Sequence, residues 1–217
     1  AWSRFCDWYV ELAKPLLAEG SPDRQETQKV AAYVLDRILI CLHPAMPFIT
    51  EELWHALGER PNDLIVAQWP ETPAAAENDA AREIGWLIEL ITAIRSARSA
   101  LNVPPSARLA LHAADGDAAM LARLEAHRPA LERIARIESL HLGPPPAGGS
   151  AQLVVEGAGF ALPLAGVIDL DAERARLEKA HVAARKEAAA LEGRLGNPGF
   201  VERAKPEAVE KAREDLA

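Results

Sequence analysis

The chain has 217 residues, 49% of them hydrophobic and 26% charged, with a formal net charge of −8. That composition excludes a disordered or collagen-like chain, and no apolar run reaches the roughly 18 residues of a membrane helix. The acidic balance argues against a non-specific nucleic-acid binder, but it is uneven: residues from Asp169 onward hold 10 basic and 11 acidic side chains, the first 168 hold 14 and 21.

Ala1-Trp2-Ser3-Arg4-Phe5 is neither a signal peptide nor a basic transit peptide, and there is no initiating Met. The chain reads as a piece that begins inside a helix. Trp2, Phe5, Tyr9, Leu12 and Leu16 recur at three and four, one face of that helix. After Gly20-Ser21-Pro22 a second helix runs from about Asp23 to Leu42, with Val30, Val34, Ile38 and Cys41 as its stripe. His43-Pro44 stops it, since Pro lacks an N–H and restrains the residue before it. Thr50 then reads as an N-cap, with Glu51 and Glu52 in the first turn as partners of the helix dipole. Leu53, Trp54 and Leu57 follow, up to Gly58. A Pro- and Asn-rich loop leads to a long helix, about Asn78 to Leu101, with Ile84, Leu87, Ile91, Ile94 and Leu101 facing inward. Phe48, Ile49 and Trp54 are expected in the core, which makes the Pro-rich stretch a rigid corner.

The pattern changes at Pro104-Pro105. Arg108–His112 alternates with period two and reads as a strand. Met120, Leu121, Leu124, Leu131, Ile134 and Ile137 read as helix broken at Pro129. Ser139–Leu142, Leu153–Val155 and Phe160–Leu162 read as strands, the last two joined by a Gly157-Ala158-Gly159 turn; the expectation is a small antiparallel sheet with helix packed on it. Beyond Asp169, Leu177, His181, Ala184, Ala188, Leu191 and Leu195 form a coiled-coil seam, roughly 37 Å of helix. Gly196–Gly199 turns the chain, and Pro206 opens a second helix showing Val209, Ala212 and Leu216. The fold class is therefore mainly α with a small α+β unit: a helical bundle over 1–103, an α/β unit over 104–168 and an antiparallel coiled-coil hairpin over 169–217. Both ends of the chain are expected to be incomplete, and the bared stripes to make contacts between copies.

No nucleotide-binding loop, zinc-binding motif, nucleophile elbow or cysteine cluster is present. Cys6 and Cys41 stand apart and are expected as buried, reduced thiols of a cytoplasmic protein. The six His do not gather at metal spacing; His112 and His141 are expected as structural strand residues. Two basic groups stand out. Arg98 lies within an apolar stripe, where it either pairs with a carboxylate or faces a phosphate, with Arg95 one turn earlier. Arg185, Lys186, Arg194, Arg203 and Lys205 crowd toward the hairpin tip, as a solvated face or a phosphate-contacting one.

Several motifs carry a resemblance. Phe5-Cys6-Asp7-Trp8-Tyr9 resembles a helix motif of the anticodon-binding domain of valyl-tRNA synthetases. His43-Pro44-Ala45-Met46-Pro47-Phe48-Ile49-Thr50-Glu51-Glu52-Leu53-Trp54 is similar to the HPxxPFxTExxW motif shared by the valyl, leucyl and isoleucyl enzymes. Ala93–Pro104, Leu164–Asp169 and Gly196–Ala204 also resemble the valyl family. The resemblance covers essentially the whole chain. It implies the tRNA-binding tail of a class I, ATP- and magnesium-dependent valine–tRNA ligase that edits mischarged threonine. It also implies tRNA(Val) as partner, a monomeric parent enzyme, no membrane or metal, and no catalytic residue or cofactor in these residues. Arg95, Arg98, Arg185, Lys186, Arg194, Arg203 and Lys205 become tRNA-contact candidates. The alternatives are a helical protein-interaction module or the tail of an isoleucyl or leucyl enzyme.

Overall fold

The structure, a computed structural model, describes residues 2–71, 78–197, 199–200 and 204–216. A π-helical segment, Trp2–Tyr9, runs into α1 (Val10–Ala13). α2 (Arg24–Leu42), α3 (Pro47–Ala56) and a 3-10 turn (Leu64–Val66) follow, then α4 (Asp79–Ala100). The second half holds β1 (Leu109–Ala113), α5 (Ala118–Ala126), α6 (Arg128–Ala130), a π turn (Leu131–Ala135), β2 (Ile137–Leu142), β3 (Ser150–Val155) and β4 (Ala158–Pro163). Two arm helices close it, α7 (Leu170–Leu195) and α8 (Pro206–Glu214).

α4 organises the core. Trp86, Leu87, Leu90, Ile91 and Ile94 are buried in one cluster with Leu109, Leu111, Leu124, Leu131, Ile137, Phe160 and Leu162. Fully burying a side chain of this size contributes roughly 1.5–3 kcal/mol. α4 therefore lies on the sheet, and the N-terminal segment joins the same cluster through Trp8 and Leu12. Asn78 caps α4, accepting from Ala81 N at 2.7 Å. Its C-terminal end closes with Asn102 in the left-handed region (φ 50°) and bonds Val103 N→Arg98 O (2.9 Å) and Asn102 N→Ser99 O (3.2 Å). This is the two-bond stop that satisfies the last carbonyls of a helix.

The sheet order is β2-β1-β4-β3. The sheet expected as antiparallel is mixed: β1 and β2 run parallel, while β1–β4 and β3–β4 are antiparallel. The reason is the connection. α5, α6 and the π turn carry the chain back along the sheet before β2 begins, and only a crossover of that length permits a parallel return. Ile137, expected at the end of a helix, opens β2 instead, because Arg136 takes a left-handed conformation (φ 59°) that ends the helical turn. The β3–β4 hairpin turns on Glu156 and Gly157, both at positive φ, one residue earlier than Gly157-Ala158-Gly159; Ala158 already pairs with Val155.

Several expected core positions are open. Phe48 is 90% exposed, Ile49 is exposed and Trp54 half-buried. Val30, Cys41 and Ile84 are exposed, and Val34 and Ile38 are only half-buried. Cys6 is exposed as well, so neither thiol is buried. For the residues of α2 and α3 the physical reason is shared: the two helices pack on each other, but no described element covers their outer faces. At the N-terminus, π-helical winding has more residues per turn than 3.6. A three-and-four stripe therefore breaks up: Trp8 and Leu12 meet the core, Phe5 stacks on Tyr9 at 5.3 Å, and Leu16 is exposed.

A polar clasp ties α4 to α5. Glu83 accepts from Arg123 Nε (2.8 Å) and lies 2.8 Å from His127 Nε2, while the Arg123 guanidinium stacks 3.7 Å over the Trp86 ring. Arg123's hydrogen bond holds the Glu83 carboxyl below the usual carboxylate range, against the upward push of burial. A carboxyl with a depressed folded-state pKa stabilises the protein above its unfolded value, near 4.3, and the contribution fades as pH falls through the folded value. Glu83→Gln is expected to lower stability by about 1 kcal/mol at neutral pH, a charged hydrogen bond discounted for partial exposure. The difference from the parent, read by urea unfolding, shrinks on acidification below pH ~4.

Candidate nucleic-acid interface

The corner between α2 and α3 is built from the His43–Trp54 motif. Pro47, with its fixed φ, takes the first helical position, so Met46 and not Thr50 is the N-cap. Thr50, 1% exposed, sits one turn in; its hydroxyl bonds to Met46 O (2.7 Å) and lies 2.8 Å from His43 Nδ1. Trp54 Nε1 donates to Asn62 O (3.0 Å), and the Arg60 guanidinium lies 4.0 Å over the Trp54 ring while pairing with Asp36 of α2 (2.7 and 2.9 Å). Glu51 is not a dipole partner: its carboxylate accepts from Leu64 N (2.7 Å) and caps the 3-10 turn. Glu51, His55 and Asp63 bring one ligand atom each within 4.8 Å of one another, a grouping absent from linear spacing. It reads as loop fastening, since Glu51 already serves Leu64 and His55 Nε2 lies 3.2 Å from both carboxylates. The corner is expected to be rigid through packing of Phe48, Ile49 and Trp54 in the core; instead it presents Phe48, Ile49 and Leu53 outward, and its fastening is the polar set just described.

At the other end of α4 the two arginines part. Arg95 is exposed. Arg98 is only 8% exposed and has no carboxylate partner; its Nη2 donates to Ala107 O (2.8 Å) and Pro104 O (3.1 Å). Burial, and then the charge of Arg136, weaken its hold on its proton. The expected ion pair is thus replaced by backbone carbonyls, because the tight stop at Asn102 folds residues 104–107 back over the guanidinium. Arg98 fixes the passage from α4 to β1.

α7 leaves the body as an arm. Asp169 caps it, accepting from Asp171 N and Ala172 N. One turn later Arg176 pairs with Glu173 and donates to Ala100 O, the last residue of α4, at 2.7 Å. α8 covers the distal half: Val209 and Ala212 are buried, with Ala188, Leu191 and Leu195 half-buried. Leu177 and Val182 nearer the base are exposed, and Leu101, Leu164, Ile168, Leu170 and Leu177 line an open groove of about 410 Å³ there.

At about 100° per residue, the arm's basic side chains do not form the single group their closeness in sequence suggests. Arg185 and Arg194 lie about 180° apart around α7. Lys179 and Lys186 lie opposite the seam, while Arg176 and Arg194 flank it on one side and Arg185 on the other. The helical wheel alone shows that alignment; proximity to the hairpin tip concealed it. Lys179, Arg185, Lys186 and Arg194 are all exposed, and Arg194 also stacks 4.7 Å over Phe200. Lys205 is exposed at the start of α8, and Arg203 lies outside the described residues.

The family described as the anticodon-binding domain of tRNA ligase matches residues 1–113, more than half of the chain. The chain belongs to this anticodon-binding family. A second family, the valyl tRNA synthetase tRNA binding arm, matches residues 169–217, which hold α7 and α8. The chain is similar over its whole length to the valine–tRNA ligase of Rhizorhabdus wittichii, with 58% identity, covering 24% of that protein. Matches to the valine–tRNA ligases of Zymomonas mobilis (54% identity, 99% of this chain, 25% of that one) and Agrobacterium fabrum (44%, 100% and 23%) are of the same kind. The chain thus spans about a quarter of the length of the curated relatives it matches. The anticodon-family match takes in the corner, α4 and β1, and so ends within the sheet onto which α4 packs.

In this anticodon-binding domain the His43–Thr50 contact is the hidden fastening of the corner. Thr50→Val keeps the shape and removes the hydroxyl, leaving His43 Nδ1 without its partner. A stability loss of about 1–2 kcal/mol is expected, measured by denaturant unfolding, while Thr50→Ser is expected to recover most of it.

Proposed function

We propose that this chain is the tRNA-binding portion of a cytoplasmic valine–tRNA ligase, serving tRNA(Val). The parent enzyme, a monomer, attaches valine using ATP and magnesium and hydrolyses mischarged threonine. Its chemistry belongs to the three quarters of such a protein that this chain does not span. The observation that supports this reading best is the pairing of two tRNA-binding families along one chain, residues 1–113 and 169–217. No described helix is long and apolar enough to cross a membrane.

The division of labour follows from the geometry. A bundle of helices with a fastened corner offers a rigid surface against which unpaired anticodon bases are read on their edges and by stacking. Arg95 is assigned to that part, and Arg98 to positioning only. The arm supplies phosphate and sugar contacts, which orient the RNA and carry little sequence information. Its contact side is assigned to Lys179 and Lys186, which face away from the helix–helix seam, together with Arg194 on the adjoining flank. Arg185, Arg203 and Lys205 are assigned to flanking contacts. The units 1–103, 104–168 and 169–217 are proposed as functional divisions, with α4 as a member of the first and the support of the second.

Charge reversal of Lys179, Lys186 and Arg194 together is expected to weaken tRNA binding by more than tenfold and to flatten its salt dependence. Each neutralised phosphate contributes roughly 0.7–0.9 to the slope of log affinity against log salt. Filter binding across a salt series measures both. An unchanged affinity returns the arm to a merely solvated face. Purified chain is expected to show no valine-dependent pyrophosphate exchange, and any such exchange overturns the assignment of catalysis elsewhere.

A further inference from the structure

The helical cover of the sheet, α4 with α5 and the π turn, packs against Leu109, Leu111, Ile137, Phe160 and Leu162. Strand alternation sends the intervening residues to the other face, where Ala161 and His112 are buried but Ser139, His141, Gln152 and Val154 are half-buried or exposed. There His112 of β1 and His141 of β2 are register partners, and their rings stack at 4.8 Å with 23° between planes. His141 is the outer, exposed ring, and its Nε2 lies 2.9 Å from Ser139 Oγ. His112 beside it, on the inner strand, is 8% exposed, and its Nδ1 has no hydrogen-bond partner. Ala110 and Ala161 keep the ground between the strands low. Arg108, exposed just before β1, continues the same alternation roughly 13 Å along the strand from His112. Arg136 lies beside it, its carbonyl accepting from Leu109 N.

We infer that this open sheet face takes an unpaired stretch of RNA, one base stacked on His141 and a backbone phosphate at Arg108. The inference rests on the reading of the chain as a tRNA binder and adds a surface that neither the corner nor the arm provides. Three features select this occupant. A flat sheet face that offers an aromatic ring outward is a stacking platform for bases, and only unpaired nucleotides free their bases to use one. The face positions leading through β1 and β2 carry a cation, two imidazoles, a hydroxyl and an alanine; the carboxylates nearby are Asp115, against Gly159 at the far end of the face, and Glu138, the extra residue of the bulge at the sheet edge. The roughly 13 Å from Arg108 to the imidazoles spans about two nucleotides of extended backbone.

The test uses this chain with two probes, a fluorescent unstructured oligoribonucleotide and a tRNA(Val) transcript. His141→Ala is expected to weaken oligonucleotide binding about tenfold, the order of one lost base stack. His141→Phe, which keeps a ring, is expected to stay within about twofold of the parent, and Arg108→Glu to weaken binding and lower its salt dependence. Reversal of Lys179, Lys186 and Arg194 is expected to spare the oligonucleotide and weaken only tRNA. His141 and Arg108 are exposed, so thermal unfolding midpoints are expected to match the parent. Oligonucleotide affinity unmoved by both His141→Ala and Arg108→Glu overturns the inference, as does a His141→Phe protein that binds as poorly as His141→Ala. A chain that binds tRNA but no oligonucleotide overturns it alone and leaves the arm reading standing. A chain that binds neither overturns the tRNA-binding function itself.

Discussion

The packing of α4 on the sheet is the interaction on which everything else hangs. Leu90, Ile91 and Ile94 lose all contact with water against Leu111, Phe160 and their neighbours. Because one helix meets both the N-terminal segment, through Trp8 and Leu12, and the sheet, the two halves of the chain share a single hydrophobic cluster. The polar contacts then set orientation. Glu83 fixes α5 against α4, and Arg98 fixes the strand that follows. A guanidinium spent on carbonyls in this way directs the chain, which is why its burial does not mark a ligand site.

This arrangement also sorts the basic side chains. α4 needs its inward face for the sheet, so Arg98 is drawn inside and Arg95 is left on the surface. On the arm, α8 takes the seam side of α7, which leaves Lys179 and Lys186 opposite it and Arg185 and Arg194 on its two flanks. The acidic net charge of the chain does not by itself exclude an RNA partner, because basic side chains gathered on one side of an element act locally.

Much of this was legible in the sequence wherever one element decided its own neighbours. The alternation in Leu109–Ala113, the Pro206 start of the last helix and the seam of α7 each specify local structure directly. Legibility failed where a distant partner decides. Phe48 looks like core because it is large and apolar, yet nothing described covers it. The parallel pairing of β1 and β2 depends on how a crossover returns, and the alternating residues of the two strands are the same in either direction. Arg98 was readable as buried but not as bonded to Ala107 O, because that carbonyl arrives through the left-handed turn at Asn102. The placing of Lys179 and Lys186 opposite the seam, with Arg194 on its flank, was present in the spacing all along, hidden by counting charges along the chain and not around the helix.

The clasp at the root of the arm has a mechanical consequence. Arg176 holds Ala100 O within 10 residues of the start of α7's cap, and the rest of that helix, about 39 Å long in all, projects beyond the fastening. The arm is therefore a lever with a short inner limb. A tilt of about 5° at the root displaces the far end by about 3 Å over that length, half the spacing between neighbouring phosphates of a strand. Stiffness at the hinge becomes reach at the tip: an arm that yields this little at its base samples half a phosphate spacing at its end, and one whose clasp is cut loses aim before it loses length.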